Sequence, residues 1–244
     1  MTRAVVCVAT TSRYKRGMAR MARELDRQNV VQMLFGGLPS GSPEHKAVPY
    51  AFKAYALQEA ARQSFGTLLW CDASILPAAD MTPLWERIER DGYWFARNYG
   101  WSNYEWTADS AYADLFGGPI GPARMLNRDI PHVVATAFGL SLRHPAGRAF
   151  LGEYYRLASE TQAFCGPWIN RDHPDCDDAP PDRYQAMKCY SCGPGDVRGH
   201  RHDQTAASVI AWRLGMRLTC APEVFAYKGG ESDKTILIAD GSYV

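Results

Sequence analysis

Residues 65–74 read F-G-T-L-L-W-C-D-A-S, an apolar run of strand character that stops on a carboxylate, Asp72, followed by two small residues. A charge at the close of a buried strand is unfavourable unless something pairs with it or binds it. In an open α/β sheet, ligands sit at the carboxyl ends of the strands. The stretch therefore predicts a central strand and makes Asp72, with Ser74 two residues on, the first candidate site.

The chain before it has the matching pattern. Residues 4–11, A-V-V-C-V-A-T-T, form an apolar run rich in β-branched residues, as expected of a strand buried on both faces. Thr10 and Thr11 end it, Arg13 follows, and residues 18–27 show helical periodicity with Met18, Met21 and Leu25 on one side. A short strand is predicted over 30–35, then a Gly/Pro/Ser-rich loop, then a helix over 50–63. On that helix Phe52, Tyr55, Ala56 and Ala60 supply the apolar stripe, which leaves Lys53 off it. Lys53 reads either as a solvated helix residue or as a lysine reaching an anionic ligand.

Beyond Asp72, Asp80 or Thr82 can cap a helix that has Pro83 in its first turn. Strands are predicted over 92–96, over 133–142 with a bend at Gly139, over 218–221, and at the edge over 235–239. Aromatic residues crowd 99–116, beside carboxamides and carboxylates. Such a mixture either packs over the sheet or holds a sugar. Residues 165–198 show little periodicity, and so long an irregular stretch reads as a functional, lid-like loop. After it comes G-H-R-H-D-Q-T-A-A-S at 199–208, opening a helix over 204–214. Asp203 is then the expected N-cap, with His200, Arg201 and His202 at the positive helix end that favours anions.

Composition narrows the options. The 244 residues carry 27 basic and 26 acidic side chains, a net charge of +1, and the only basic group lies between Arg13 and Arg23. Nucleic-acid binding through phosphates wants a stronger basic excess. No run approaches the roughly 20 apolar residues of a membrane helix. The first apolar run is too short for a signal peptide, so a soluble, cytoplasmic protein is expected. Seven cysteines in no scaffold spacing read as reduced. Cys189 and Cys192 form one C-x-x-C, for which incidental thiols and a zinc site are both open. No G-x-G-x-x-G is present, so a dinucleotide fingerprint is missing.

Three blocks in this order, 49–60 (P-Y-A-F-K-A-Y-A-L-Q-E-A), 68–75 (L-L-W-C-D-A-S-I) and 199–208, resemble the GT-A type of nucleotide-sugar glycosyltransferase. The resemblance covers most of the chain. It implies an α/β, Rossmann-like fold with a mostly parallel sheet flanked by helices, in one domain over 1–244. Residues 1–97 would form the half that binds the nucleotide sugar, and 98–244 the acceptor half.

By the resemblance, Asp72 occupies the D-x-D position, which here has become Asp72-Ala73-Ser74 with a single carboxylate. It implies Mn²⁺ or Mg²⁺ held by Asp72 with His202 or His200, and a donor diphosphate near Lys53, His200 and Arg201. Thr10, Thr11 and Arg13 would hold the base and ribose. Asp203 would orient or deprotonate the acceptor hydroxyl. Two further readings stay open: glycosylation of a modified DNA base, and a binding protein that has lost catalysis.

Overall fold

The computed structural model describes residues 2–174 and 191–243. Its opening unit is β1 (Arg3–Val8), α1 (Ser12–Arg27), β2 (Gln32–Phe35), α2 (Phe52–Arg62) and β3 (Thr67–Cys71). β1 pairs in parallel with β2 on one side and β3 on the other. Side chains alternate between two cores. Val5, Cys7, Leu69 and Cys71 pack with Met21 and Leu25 of α1. Ala4, Val6, Val8, Leu68 and Trp70 pack with Ala54, Leu57 and Ala60 of α2. Both strands are apolar throughout because a helix covers each face. With β2 and β3 on opposite sides of β1, the strand order reverses at β1 and β3, and a crevice opens beyond their carboxyl ends.

The chain continues through β4 (Ile75–Pro77), α3 (Thr82–Asp91), β5 (Tyr93–Ser102), the short helices α4 (Tyr112–Phe116) and α5 (Ile120–Asn127), and β6 (Pro131–Ser141). It closes with α6 (Pro145–Glu160), α7 (His202–Arg213), β7 (Phe225–Tyr227) and β8 (Leu237–Ala239). The main sheet has the order β2-β1-β3-β6-β5. β6 runs antiparallel to both β3 and β5, so the α/β sheet is mixed, while its other four strands share one direction, in keeping with the mostly parallel sheet expected. α2, α6 and α7 share one core, α1 and α3 the other.

Several local expectations change. α1 starts at Ser12, because the Thr11 hydroxyl accepts from the Tyr14 amide at 3.3 Å and caps it. β6 runs unbroken through Gly139, where glycine makes room for Ile88 rather than a bend. Residues 218–221 contribute one bridge, Thr219 to Ala96, instead of a strand. The tail strand lies in the middle of a second sheet, β4-β8-β7. The N-cap of α3 is Met81, neither Asp80 nor Thr82, although Asp80 accepts from the Thr82 amide at 3.0 Å. Among the described residues no helix is long and apolar enough to cross a membrane. Much of the expected lid, residues 175–190, and with it Cys189 of the C-x-x-C, lies outside the described residues.

The tail is fixed against α1 by a buried ion pair, Arg20 Nη1 to Asp240 Oδ2 at 3.0 Å. Gly17 of α1 faces the Ala73 carbonyl and the Tyr243 ring, and a Cβ there would overlap both. The carbonyl is backbone and cannot swing aside. Gly17→Ala is expected to cost about 1–3 kcal/mol through overpacking, against the better helix propensity of alanine. A lower urea midpoint at unchanged m-value is the expected reading.

Candidate functional site

Asp72 follows β3 directly. Its amide donates to the Thr136 carbonyl of β6 at 2.8 Å, and its carbonyl accepts from Ile75 at 2.9 Å, which sets the turn. The carboxylate is 30% exposed. Its Oδ1 accepts from the Trp70 indole at 2.8 Å and sits 3.1 Å from Lys53 Nζ. Both contacts fall on one oxygen, so Oδ2 is the one that Asp72 can offer a ligand.

Lys53, in the first turn of α2, is buried, contrary to the stripe expected for that helix. Residues of α2 that face β1 and β3 are mostly alanines, so the helix sits close to the sheet. Its first turn thereby comes within reach of the strand ends. Lys53 Nζ donates to the Ala135 carbonyl of β6 at 2.8 Å, besides pairing with Asp72 and, at 2.8 Å, with Asp203 Oδ2. One hydrogen bond and two ion pairs surround the buried ammonium, so Lys53 is not a direct ligand contact in this arrangement. Burial alone would lower its pKa, but the carboxylates of Asp203 and Asp72 outweigh that and raise it.

Asp203 lies inside the first turn of α7 and is no N-cap, since α7 begins one residue earlier, at His202. Burial disfavours its charge more than Lys53 favours it, and Asp72 adds to the rise, so its pKa stands at about 6. Nearby Tyr154 of α6 is held well above the ordinary phenol range by burial and by the charges of Asp203 and Asp72.

The other residues of the 199–208 block turn inward. His200 is fully buried: its Nδ1 accepts from the Ala108 amide at 3.2 Å, and its Nε2 lies 3.0 Å from the Ala163 carbonyl. Burial first, opposed in part by that carbonyl, leaves it with a pKa of about 4. Arg201 lies 3.6 Å over the Trp106 ring and 4.0 Å over Trp168, and it donates to the Trp168 carbonyl at 2.9 Å. His202, in a left-handed backbone conformation, points Nδ1 at the Phe164 carbonyl at 2.9 Å and packs against the Tyr50 and Trp168 rings, which also meet each other. None of these three lines the cleft above Asp72.

That cleft, about 370 Å³, lies beyond β1 and β3 at the crevice described above. Thr10, Thr11, Asp72 and Ser74 line it as the sequence leads one to expect. Arg13 stands to one side, bonded to the Gly241 carbonyl at 3.1 Å and lying 4.7 Å over the Tyr243 ring. Tyr14, His45, Tyr50, Phe52 and Tyr243 complete the lining and are missed by sequence reasoning. Tyr243 carries no local signal, since its place depends on the remote Arg20–Asp240 pair. His45 and Tyr50 are legible only in that their loop leads into the α2 block.

The expected divalent ion does not fit as a resident group. Among the described residues no set of three or more His, Cys, Asp or Glu side chains could hold a metal. The position between the carboxylates of Asp72 and Asp203 is filled by an ammonium. The charges acting on His202 are those of His200, Arg201 and His45. What remains is one free carboxylate oxygen.

Three solved structures resemble the whole chain. A glycosyltransferase involved in the glycosylation of the major capsid of PBCV-1 is 11% identical, with 98% of this chain and 94% of that one covered at a TM-score of 0.51. The apo WbbM bifunctional glycosyltransferase is 10% identical, with 97% and 45% covered and a TM-score of 0.50. Mouse xyloside xylosyltransferase 1, also apo, is 10% identical, with 99% and 98% covered and a TM-score of 0.50. No protein-family model and no curated protein sequence matches the chain. The chain thus has the α/β architecture of the GT-A-type glycosyltransferases.

Lys53→Met would leave two carboxylates without their cation. The expected cost is about 3–5 kcal/mol, seen in urea unfolding and partly relieved in the Lys53→Met/Asp203→Asn double variant. Asp203 supplies a second test. An acid whose pKa is raised on folding contributes its stability below its unfolded value near pH 4 and loses it as pH rises through about 6. Asp203→Asn is expected to remove that loss, so the wild type declines relative to the variant across this range.

Proposed function

We propose that this chain transfers a sugar from a nucleoside-diphosphate sugar to a hydroxyl acceptor. The observation that carries the proposal is the half-pinned Asp72 carboxylate in a cleft at the β1–β3 reversal. Crevices at such points are where open α/β sheets take nucleotides. The three similar structures, all glycosyltransferases by name, support the class of reaction.

In this reading Thr10, Thr11, Tyr14, Tyr50 and Tyr243 hold the nucleoside, with ring faces for the base and hydroxyls for the ribose. Ser74 and Asp72 lie beside the diphosphate and sugar. The acceptor oxygen bonds to the anomeric carbon as that carbon's bond to the diphosphate breaks. The diphosphate leaves with the electron pair, and Asp72 Oδ2 takes the hydroxyl proton. Lys53 and Trp70 hold the carboxylate in place. Asp203 fixes Lys53 from behind and does not meet the acceptor, a role different from the base that the resemblance implies. Residues 1–97 supply most of the donor cleft, yet Tyr243 belongs to it as well. No step is assigned to an ion held by the protein.

Calorimetry with UDP and GDP is expected to show binding that Asp72→Ala weakens by about tenfold or more, with the fold of the variant unchanged by circular dichroism. No binding of either nucleotide to the wild type would sink the proposal. A second outcome concerns the ion: Mn²⁺ added to the ligand-free protein is expected to keep the spin-resonance signal of the free ion.

A further inference from the structure

A second and larger cleft, about 570 Å³, opens between β5, β6 and β7. Its size falls within the ~300–1,000 Å³ of small-molecule sites. Trp94 and Val134 form its buried floor, while Tyr99 and Tyr227 stand at its rim, 63% and 55% exposed. Arg97 and Lys228 add donors to the wall. The aromatic rings further along tell a different story. Trp101 and Trp106 stack on each other at 4.4 Å, and Arg128 covers Tyr104 at 3.8 Å. Those rings pack against protein, whereas Tyr99, with Arg97 5.6 Å over it, and Tyr227, edge-on to Phe225, keep most of their surface exposed.

The cleft shares β6 with the backbone group that holds Asp72. Val134 of its floor is two residues from Thr136 on β6. Thr136 is the residue whose carbonyl holds the Asp72 amide. Exposed phenol rings offer flat apolar faces to the C–H faces of a sugar, and the cationic groups donate to its hydroxyls. Two cations argue against a cationic ligand. One of them, Lys228, is already paired with Asp240 at 3.1 Å, too little to follow a nucleic-acid backbone.

We propose that this cleft binds a saccharide acceptor, with Tyr99 and Tyr227 as its stacking platforms. The assignment rests on the reading of Asp72 given above, and its test is separable from that reading.

The probes are cellobiose, maltose, N,N′-diacetylchitobiose and digalacturonate, followed by saturation-transfer NMR on the intact chain. At least one is expected to bind, and Tyr99→Ala and Tyr227→Ala each to weaken it by about tenfold. Binding of UDP is expected to stay within about twofold of wild type. Tyr99→Leu and Tyr227→Leu keep the bulk and lose the ring, and they separate stacking from local collapse. Alkylation of Cys220, an exposed thiol on the same wall, is expected to slow when the saccharide is present. No binding by any probe overturns the proposal, as does binding that all four variants retain. Tyrosine-dependent binding of a DNA oligomer in place of the sugars overturns it too. Loss of UDP binding in the wild type fails the donor reading alone, and the saccharide result then still decides the cleft.

Discussion

One ammonium group organises the centre of this molecule. Lys53 is withdrawn from water, which costs several kcal/mol for an isolated charge, and it is held there by acceptors from three elements: the β6 carbonyl of Ala135, Asp72 beyond β3 and Asp203 in α7. No two of these elements are neighbours in the chain. The ion pairs therefore tie the late helix to the early strands, and each charge makes burial of the others tolerable. Two carboxylates against one ammonium leave an excess negative charge, and Asp203, the more buried of the two acids, is the one that titrates high.

How much of this the sequence disclosed follows from the range of each interaction. β1 and β3 were legible because burial on both faces leaves unbroken apolar runs, and Asp72 stood out as a charge at the end of one. Thr10, Thr11 and Ser74 followed from their position at strand ends. Lys53 was half legible: the block around it was singled out, but a one-sided stripe does not describe a helix whose first turn is sunk among strand ends. The N-cap assigned to Asp203 missed because its first obligation is to Lys53, 150 positions earlier. Gly139 read as a bend because a glycine in a strand signals either distortion or close packing, and only Ile88 decides which. The second sheet and Tyr243 depend on tail contacts with α1 that leave no periodic trace.

The 199–208 block illustrates a wider point. Its two histidines and its arginine look like ligands, and the fold uses them as buried struts: backbone groups engage both imidazoles, and tryptophan rings enclose the guanidinium. Irregular backbone around 163–170 has carbonyls with no strand partner, and side-chain donors satisfy them. Density of polar residues in a loop can thus report the needs of the backbone as readily as those of a substrate.

The tail has a consequence for biosynthesis. Residues 240–243 fold back onto α1, near the opposite end of the chain, and complete the wall above Asp72. A nascent chain that has emerged through β3 already exposes the strand end and its carboxylate, yet lacks Asp203 behind the lysine and Tyr243 beside the cleft. The cleft wall is therefore joined from distant parts of the chain, and it is complete only once residues 240–243 have docked on α1.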